Sequence, residues 1–251
     1  MKKHSILTIF TLILSINISC DNTKSKRETV PKNDTVATKN LQPKQSDSDI
    51  ESKNKLTDFV PKNYVIFDKI YGDLNKDGSE DCVIIVKGTD KNKIVNDEYR
   101  GKLDRNRRGI IVLFNNNGSY ELATANYNCF SSENEDGGVY YSPELDFEIK
   151  KGNLYVNYAH GRYGYWNYTF RYQNDDMEMI GYDSSDHNGP IVLHSTSINY
   201  ITKKKIEEEN INQNVYDGEE IFKKTESTIS RTTLRKLSQI TDFDELRMSE
   251  D

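Results

Sequence analysis

Asp73, Asn75, Asp77 and Asp81 fall at alternating or near-alternating positions in YGDLNKDGSEDCVIIV, residues 71–86. Calcium takes six to eight hard oxygen ligands in a flexible geometry, and this spacing supplies carboxylate and amide oxygens on one side of a tight turn. Gly78 permits the sharp reversal that turns them inward, and the Ser79 carbonyl adds a backbone oxygen. The expected ion is Ca2+, held by Asp73, Asn75, Asp77, Ser79 and Asp81. An EF-hand would place a Glu at its twelfth position, where this chain has Ile84. The flanks also read as strands, so only the ligand half of that motif is present, on a β scaffold. The alternative is a solvated turn whose Asx side chains bond their own backbone. If an ion binds, its expected role is structural, because no paired nucleophile and base accompany the loop.

Other residues offer weaker chemistry. Glu133, Glu135 and Asp136 in SSENEDGG form a second acidic segment, read as a charged hairpin or as paired carboxylates for glycoside hydrolysis. His160, Arg162, Tyr163 and Tyr165 in YAHGRYGYW combine a ring surface with a guanidinium, a combination that stacks on sugars or on a partner protein. Most of these rings are equally readable as core. His187 and His194 lack a metal spacing, and Asp183, Ser184 and Ser185 lack the G-x-S-x-G elbow of a serine hydrolase. The arginines of DRNRRG, residues 104–109, read as a solvated loop before a strand. No phosphate-binding or dinucleotide fingerprint occurs. The balance favours binding over catalysis, with a glycan-binding or glycan-hydrolysing module and an inhibitor or immunity protein as alternatives.

The elements that must position these residues are short strands. YVIFDKIY (64–71) and CVIIVKG (82–88) flank the acidic loop. GIIVLFNNNGSYELATANY (109–127) reads as two strands joined by an Asn-Gly turn. PELDFEIKKGNLYVNYAH (143–160) turns at Lys-Gly-Asn, and YWNYTFRYQNDDMEMIGYD (165–183) turns at QNDD. In the latter Trp166, Tyr168, Phe170 and Tyr172 share one face, the period-two pattern of a half-buried strand. SINYITKKK (197–205) is a further candidate strand and a short helix is read near Leu56; in the tail GEEIFKKTESTISRTTLRKLSQITDFDEL, Leu234, Leu237 and Ile240 fit a helix, while the Thr and Ser content favours strands or a mixture. The fold class is mainly β: antiparallel hairpins in a meander that forms a sandwich, an open barrel or a propeller-like sheet. No clean internal repeat supports a regular propeller.

The first twenty residues give an address. Lys2 and Lys3 precede an apolar stretch, Ile6 to Ile18, that is shorter than the roughly 20 residues a membrane-spanning helix needs and fits a secretory signal. Cys20 ends that stretch behind the small Ser19. It reads as the lipidation site of a lipoprotein, carrying diacylglycerol and palmitate-type chains, although Asn17 stands where a lipobox usually has Leu. Residues 21–56 are polar and almost free of large apolar side chains, a composition that cannot bury enough surface to fold, so they read as a tether. Residues 57–251 then make one β-rich domain. Removing residues 1–20 leaves 40 acidic against 32 basic side chains, a net −8, which argues against nucleic acid as a partner. The partners expected are a membrane, through the lipid, and an unidentified protein or glycan in the cell envelope, at the periplasmic face or the cell surface. Outside the cytoplasm Cys82 and Cys129 can pair; two free buried thiols are the other reading.

The loop and its flanking strands resemble the calcium loops of FG-GAP and VCBS-type repeats. As a whole, residues 57–246 resemble an uncharacterised family of bacterial lipoproteins of Bacteroidetes type. The carriers are YGDLNKDGSEDCVII, DRNRRGIIVLF, NCFSSENEDGGVYYSPEL and HGRYGYWNYTFRY. The resemblance implies the lipid anchor and the envelope location but brings no activity with it.

Overall fold

The computed structural model describes residues 55–135, 142–213 and 219–248. The signal peptide, Cys20, all but the last two residues of the tether, and Asp136 lie outside the described residues. Strands β1 (Tyr64–Gly72), β2 (Asp81–Gly88), β5 (Arg108–Asn116) and β6 (Ser119–Phe130) form a four-stranded antiparallel sheet in that order. Between β2 and β5 the chain makes a separate hairpin of β3 (Ile94–Asp97) and β4 (Gly101–Asp104).

The rest is a meander of seven strands, each bonded to the next: β7 (Glu144–Lys150), β8 (Asn153–Ala159), β9 (Gly164–Gln173), β10 (Asp176–Asn188), β11 (Ile191–Asn199), β12 (Lys204–Asn210) and β13 (Phe222–Thr228). Neither sheet closes into a barrel. Three hairpins turn where the sequence predicts, on residue pairs with positive φ: Asn117–Gly118, Lys151–Gly152 and Asn174–Asp175. Such pairs match the twist of the flanking strands.

The burial pattern follows from the composition of each strand. In β2, Val83 and Ile85 point into the core shared by the two large sheets, while Cys82, Ile84 and Val86 point into a second cluster on the outer face. In β5, Ile110 and Val112 divide from Ile111 and Leu113 in the same way. A strand covered on both sides reads as a continuous apolar run. The outer cluster is capped by Leu56, Phe59 and Val60, of which Leu56–Phe59 form a 3-10 turn. In the larger sheet β7 and β8 alternate, and on β9 Trp166, Tyr168, Phe170 and Tyr172 all face the shared core.

Two expectations need correction. Residues 197–205 are not one strand, because the chain reverses between Asn199 and Lys204: the Asn199 side chain accepts from the Thr202 amide at 2.9 Å and Lys203 takes a φ of 56°. Leu234, Leu237 and Ile240 belong to neither a regular helix nor a strand. This tail makes a 3-10 turn at Leu237–Gln239 and lies along β6, where the Asn126 side chain donates to the carbonyls of Leu237 (2.8 Å) and Ile240 (2.7 Å). Of the two readings left open for Cys82 and Cys129, the structure has the free thiols: both are buried, one in the outer cluster and one in the shared core.

Candidate metal-binding loop and its surroundings

The acidic residues occupy the connection from β1 to β2. Leu74, 2% exposed, anchors the loop in the shared core. Asp81, fully buried, holds it from beneath: its carboxylate accepts from the amides of Leu74 (2.7 Å), Asn75 (3.3 Å) and Asn115 on β5 (3.0 Å). Burial pushes the Asp81 carboxyl above its ordinary range, and these amides oppose the shift.

Asp73 closes the turn by accepting from the amides of Lys76 (2.6 Å) and Gly78 (3.1 Å). The Asp77 amide donates to the Asn75 side-chain oxygen at 3.0 Å, and the Asp77 carboxylate accepts from the Ser79 amide at 2.7 Å and the Asn75 side chain at 2.8 Å. Chiefly through the Ser79 amide, Asp77 is held below the ordinary carboxylate range and stays ionised. Lys76 and Gly78 supply the positive φ values of 65° and 89° that the reversal requires.

The exposed rim of the loop therefore carries hard oxygens from Asn75 and Asp77, with the half-buried Asp73 behind them. That donor chemistry fits calcium. Asp81 is a buttress in this arrangement, since its two oxygens already serve three amides. Among the described residues no group of three or more Asp, Glu, His or Cys side chains is gathered as a metal shell, so backbone and amide oxygens would have to complete one. Beside the loop an open groove of about 370 Å³ is lined by Asp73, Lys76, Ile149, Lys150, Lys151 and Gly152.

The remaining predicted residues separate into two groups. Glu133 pairs with Lys87 at 3.1 Å, and Lys87 also reaches Asp104 at 3.0 Å. Glu135 pairs with Arg105 at 3.4 Å and accepts from the Ser132 hydroxyl at 2.9 Å. This acidic segment is thus tied to the basic one, and DRNRRG is not a solvated loop. Arg107 reaches Asp242 at 2.7 Å, while Arg108 is 7% exposed, donates from Nε to the Ser131 carbonyl at 2.9 Å and lies 5.5 Å from the Phe67 ring. Three arginines in six residues were the available signal, but only the fold shows that they face inward.

His160, Arg162 and Tyr163 gather in a 3-10 turn, with ring centroids of His160 and Tyr163 5.1 Å apart and the Arg162 guanidinium 5.9 Å from the Tyr163 ring. Tyr165, 44% exposed, stands edge-on to His187 at 6.2 Å. Sequence reasoning missed the Ser185 hydroxyl bonded to His187 Nε2 at 2.7 Å, a pair visible only as alternate residues on one strand. Asp183 accepts from Ser197 at 2.7 Å and is thereby occupied outside that pair.

Fold and loop together define an antiparallel β protein built on two large sheets, with a self-braced acidic hairpin loop at the mouth of its first hairpin. Compared with known protein families, curated proteins and solved structures, the chain matches none.

Proposed function

We propose that this chain is a lipid-anchored, extracytoplasmic β domain of the bacterial envelope that binds a protein or glycan partner without catalysing a reaction, and that its β1–β2 loop takes a structural calcium ion. The observation that carries the calcium reading is the bracing of the loop, which turns the oxygens of Asn75 and Asp77 to its rim. The amides of Lys76, Gly78 and Ser79 already fix the carboxylates of Asp73 and Asp77, and Leu74 and Asp81 fix the loop to the sheets. A cation at the rim would neutralise Asp73 and Asp77 and hold β1 and β2 in register. The reading as a binding domain rests on the acidic and basic side chains near residue 133, which are engaged with each other in ion pairs rather than poised around a reacting bond.

Thermal melts test the ion. Calcium in excess of its dissociation constant raises stability by RT ln(1 + [L]/Kd), about 2.7 kcal/mol at a hundredfold excess. Extracellular calcium modules bind at about 10⁻⁴–10⁻³ M, so millimolar calcium gives a smaller rise. The melting temperature is expected to rise with calcium, return with chelator, and lose both responses in Asp77→Ala. Metal-free protein whose melt ignores calcium reduces the loop to a polar turn.

A further inference from the structure

The long sheet edges of this protein are not alike. The β6 edge is covered by the C-terminal tail, through the Asn126 side chain and the Phe243 amide bonded to the Cys129 carbonyl at 3.0 Å. Edge strand β7 packs on β1 through its inward face, so closely that a Cβ on Gly72 would come within 2.6 Å of the Ile149 side chain. The β1 edge is interrupted by a bulge between Ile66 and Asp68. The edge strand β13 has no bulge, and all seven of its residues are exposed. An open edge of this kind is a template for another strand.

Backbone geometry says which groups are on offer. The Ile211 amide donates to the Ile221 carbonyl (2.8 Å) and the Ile229 amide to the Lys203 carbonyl (3.1 Å), so residues 221 and 229 face β12. Hydrogen-bonded pairs alternate along an antiparallel ladder. Residues 223, 225 and 227 therefore also bond inward. The N–H and C=O groups of Phe222, Lys224, Glu226 and Thr228 point away from the sheet.

We propose that β13 is a self-association edge that pairs antiparallel with β13 of a second copy about a two-fold axis at Thr225. This register sets outward-facing residues opposite one another, as the ladder requires: Lys224 opposite Glu226 of the second copy, twice, and Phe222 opposite Thr228, twice. Thr225 meets Thr225 at the axis. Moving the axis by one residue either way sets Lys224 against Lys224 or Glu226 against Glu226. Like charges directly opposite destabilise a strand pair and opposite charges stabilise it, so charge selects the Thr225 register. The sequence FKKTEST is self-complementary at that register only, and an isologous two-fold contact needs such self-complementarity. The same pairing joins the two seven-stranded sheets into one.

Sedimentation equilibrium on the purified protein tests this. The wild type is expected to show a concentration-dependent dimer. Lys224→Glu and Glu226→Lys each place like charges opposite in both pairs and should weaken it roughly tenfold or more. An equimolar mixture of the two variants restores both opposite-charge pairs and should dimerise. Lys224→Pro, which removes an outward N–H that its own sheet does not use, should be monomeric with an unchanged far-UV spectrum. A wild type that stays monomeric at all concentrations overturns the proposal and leaves β13 as a lysine-guarded edge or as a site for a foreign strand. A dimer that survives Lys224→Pro and both charge reversals is formed elsewhere and overturns it as well.

Discussion

Asp81 and Cys82 are neighbours at the start of β2, and both are fully buried; burial raises the pKa of each, but their partners differ. Three amides oppose the rise at Asp81, while desolvation pushes the Cys82 thiol up to about 11. Cys129 moves further in the same direction for the same reason. An acid whose pKa is raised by folding keeps its proton in the native state after the unfolded chain has lost it, so stability falls as pH rises through that interval. For Cys82 the interval runs from the ordinary 9.0 to about 11. Stability is expected to be insensitive to this thiol below pH 9.0 and to decline above it, with a shallower decline in Cys82→Ala, as denaturant titrations at stepped pH would show. The same burial should make both thiols slow to alkylate in the native protein. Denatured without reductant, the chain should label at both Cys82 and Cys129. Loss of that labelling would mean that the thiols pair after all.

Among the elements, β2 and β5 carry the most burial, because each feeds two apolar clusters from alternate side chains. Fully burying one such aliphatic side chain contributes about 1.5–3 kcal/mol, so these two strands set the position of the acidic loop at one end. They also set the basic segment at the other end. Register along β5 is irregular between Arg108 and Ile110, where β6 crosses close to the strand. A Cβ on Gly109 would come within 2.4 Å of the Asn126 carbonyl oxygen and the Tyr127 backbone, and backbone cannot yield as a flexible side chain can. Gly109→Ala is therefore expected to cost about 1–3 kcal/mol, the range for overpacking, read as a lower urea midpoint at unchanged m. A neutral result would mean that β6 passes β5 at a greater distance. The inward turn of Arg108 depends on the same crossing, since its Nε donates to the Ser131 carbonyl just past the end of β6.

At the scale of the whole molecule the two sheets are unequal, with four strands against seven. The core draws from all four strands of the smaller sheet but from only the first five of the larger. Strands β12 and β13 extend beyond that cover, and among the described residues no strand pairs with the outer edge of β13. The proposed anchor gives the molecule an orientation, with a long polar segment between the lipid on Cys20 and the first sheet. Cys20→Ser should abolish incorporation of labelled fatty acid and shift the protein from the membrane fraction to the soluble one. Equal partition of variant and wild type would remove the lipoprotein reading.

Strand content and three of the hairpin turns were legible in the sequence, because period-two alternation, short apolar runs and Asn-Gly or Lys-Gly pairs are local consequences of backbone geometry; that β2 and β5 are covered on both faces emerged only from the packing. The acidic loop was legible for the same reason, since its ligating types and its glycine lie within nine residues. What the sequence did not show is the bracing of Asp81, whose third amide comes from Asn115, on a strand paired to its own from 34 residues away. The engagement of Glu133 with Lys87 and of Arg107 with Asp242 likewise joins segments distant in sequence. The separation of Cys82 from Cys129 follows from the face on which each strand presents its side chain. Local spacing determined which residues form turns and strands. Only the packing of one sheet on the other decided which charges are partnered, which thiols are apart and which edge is left open.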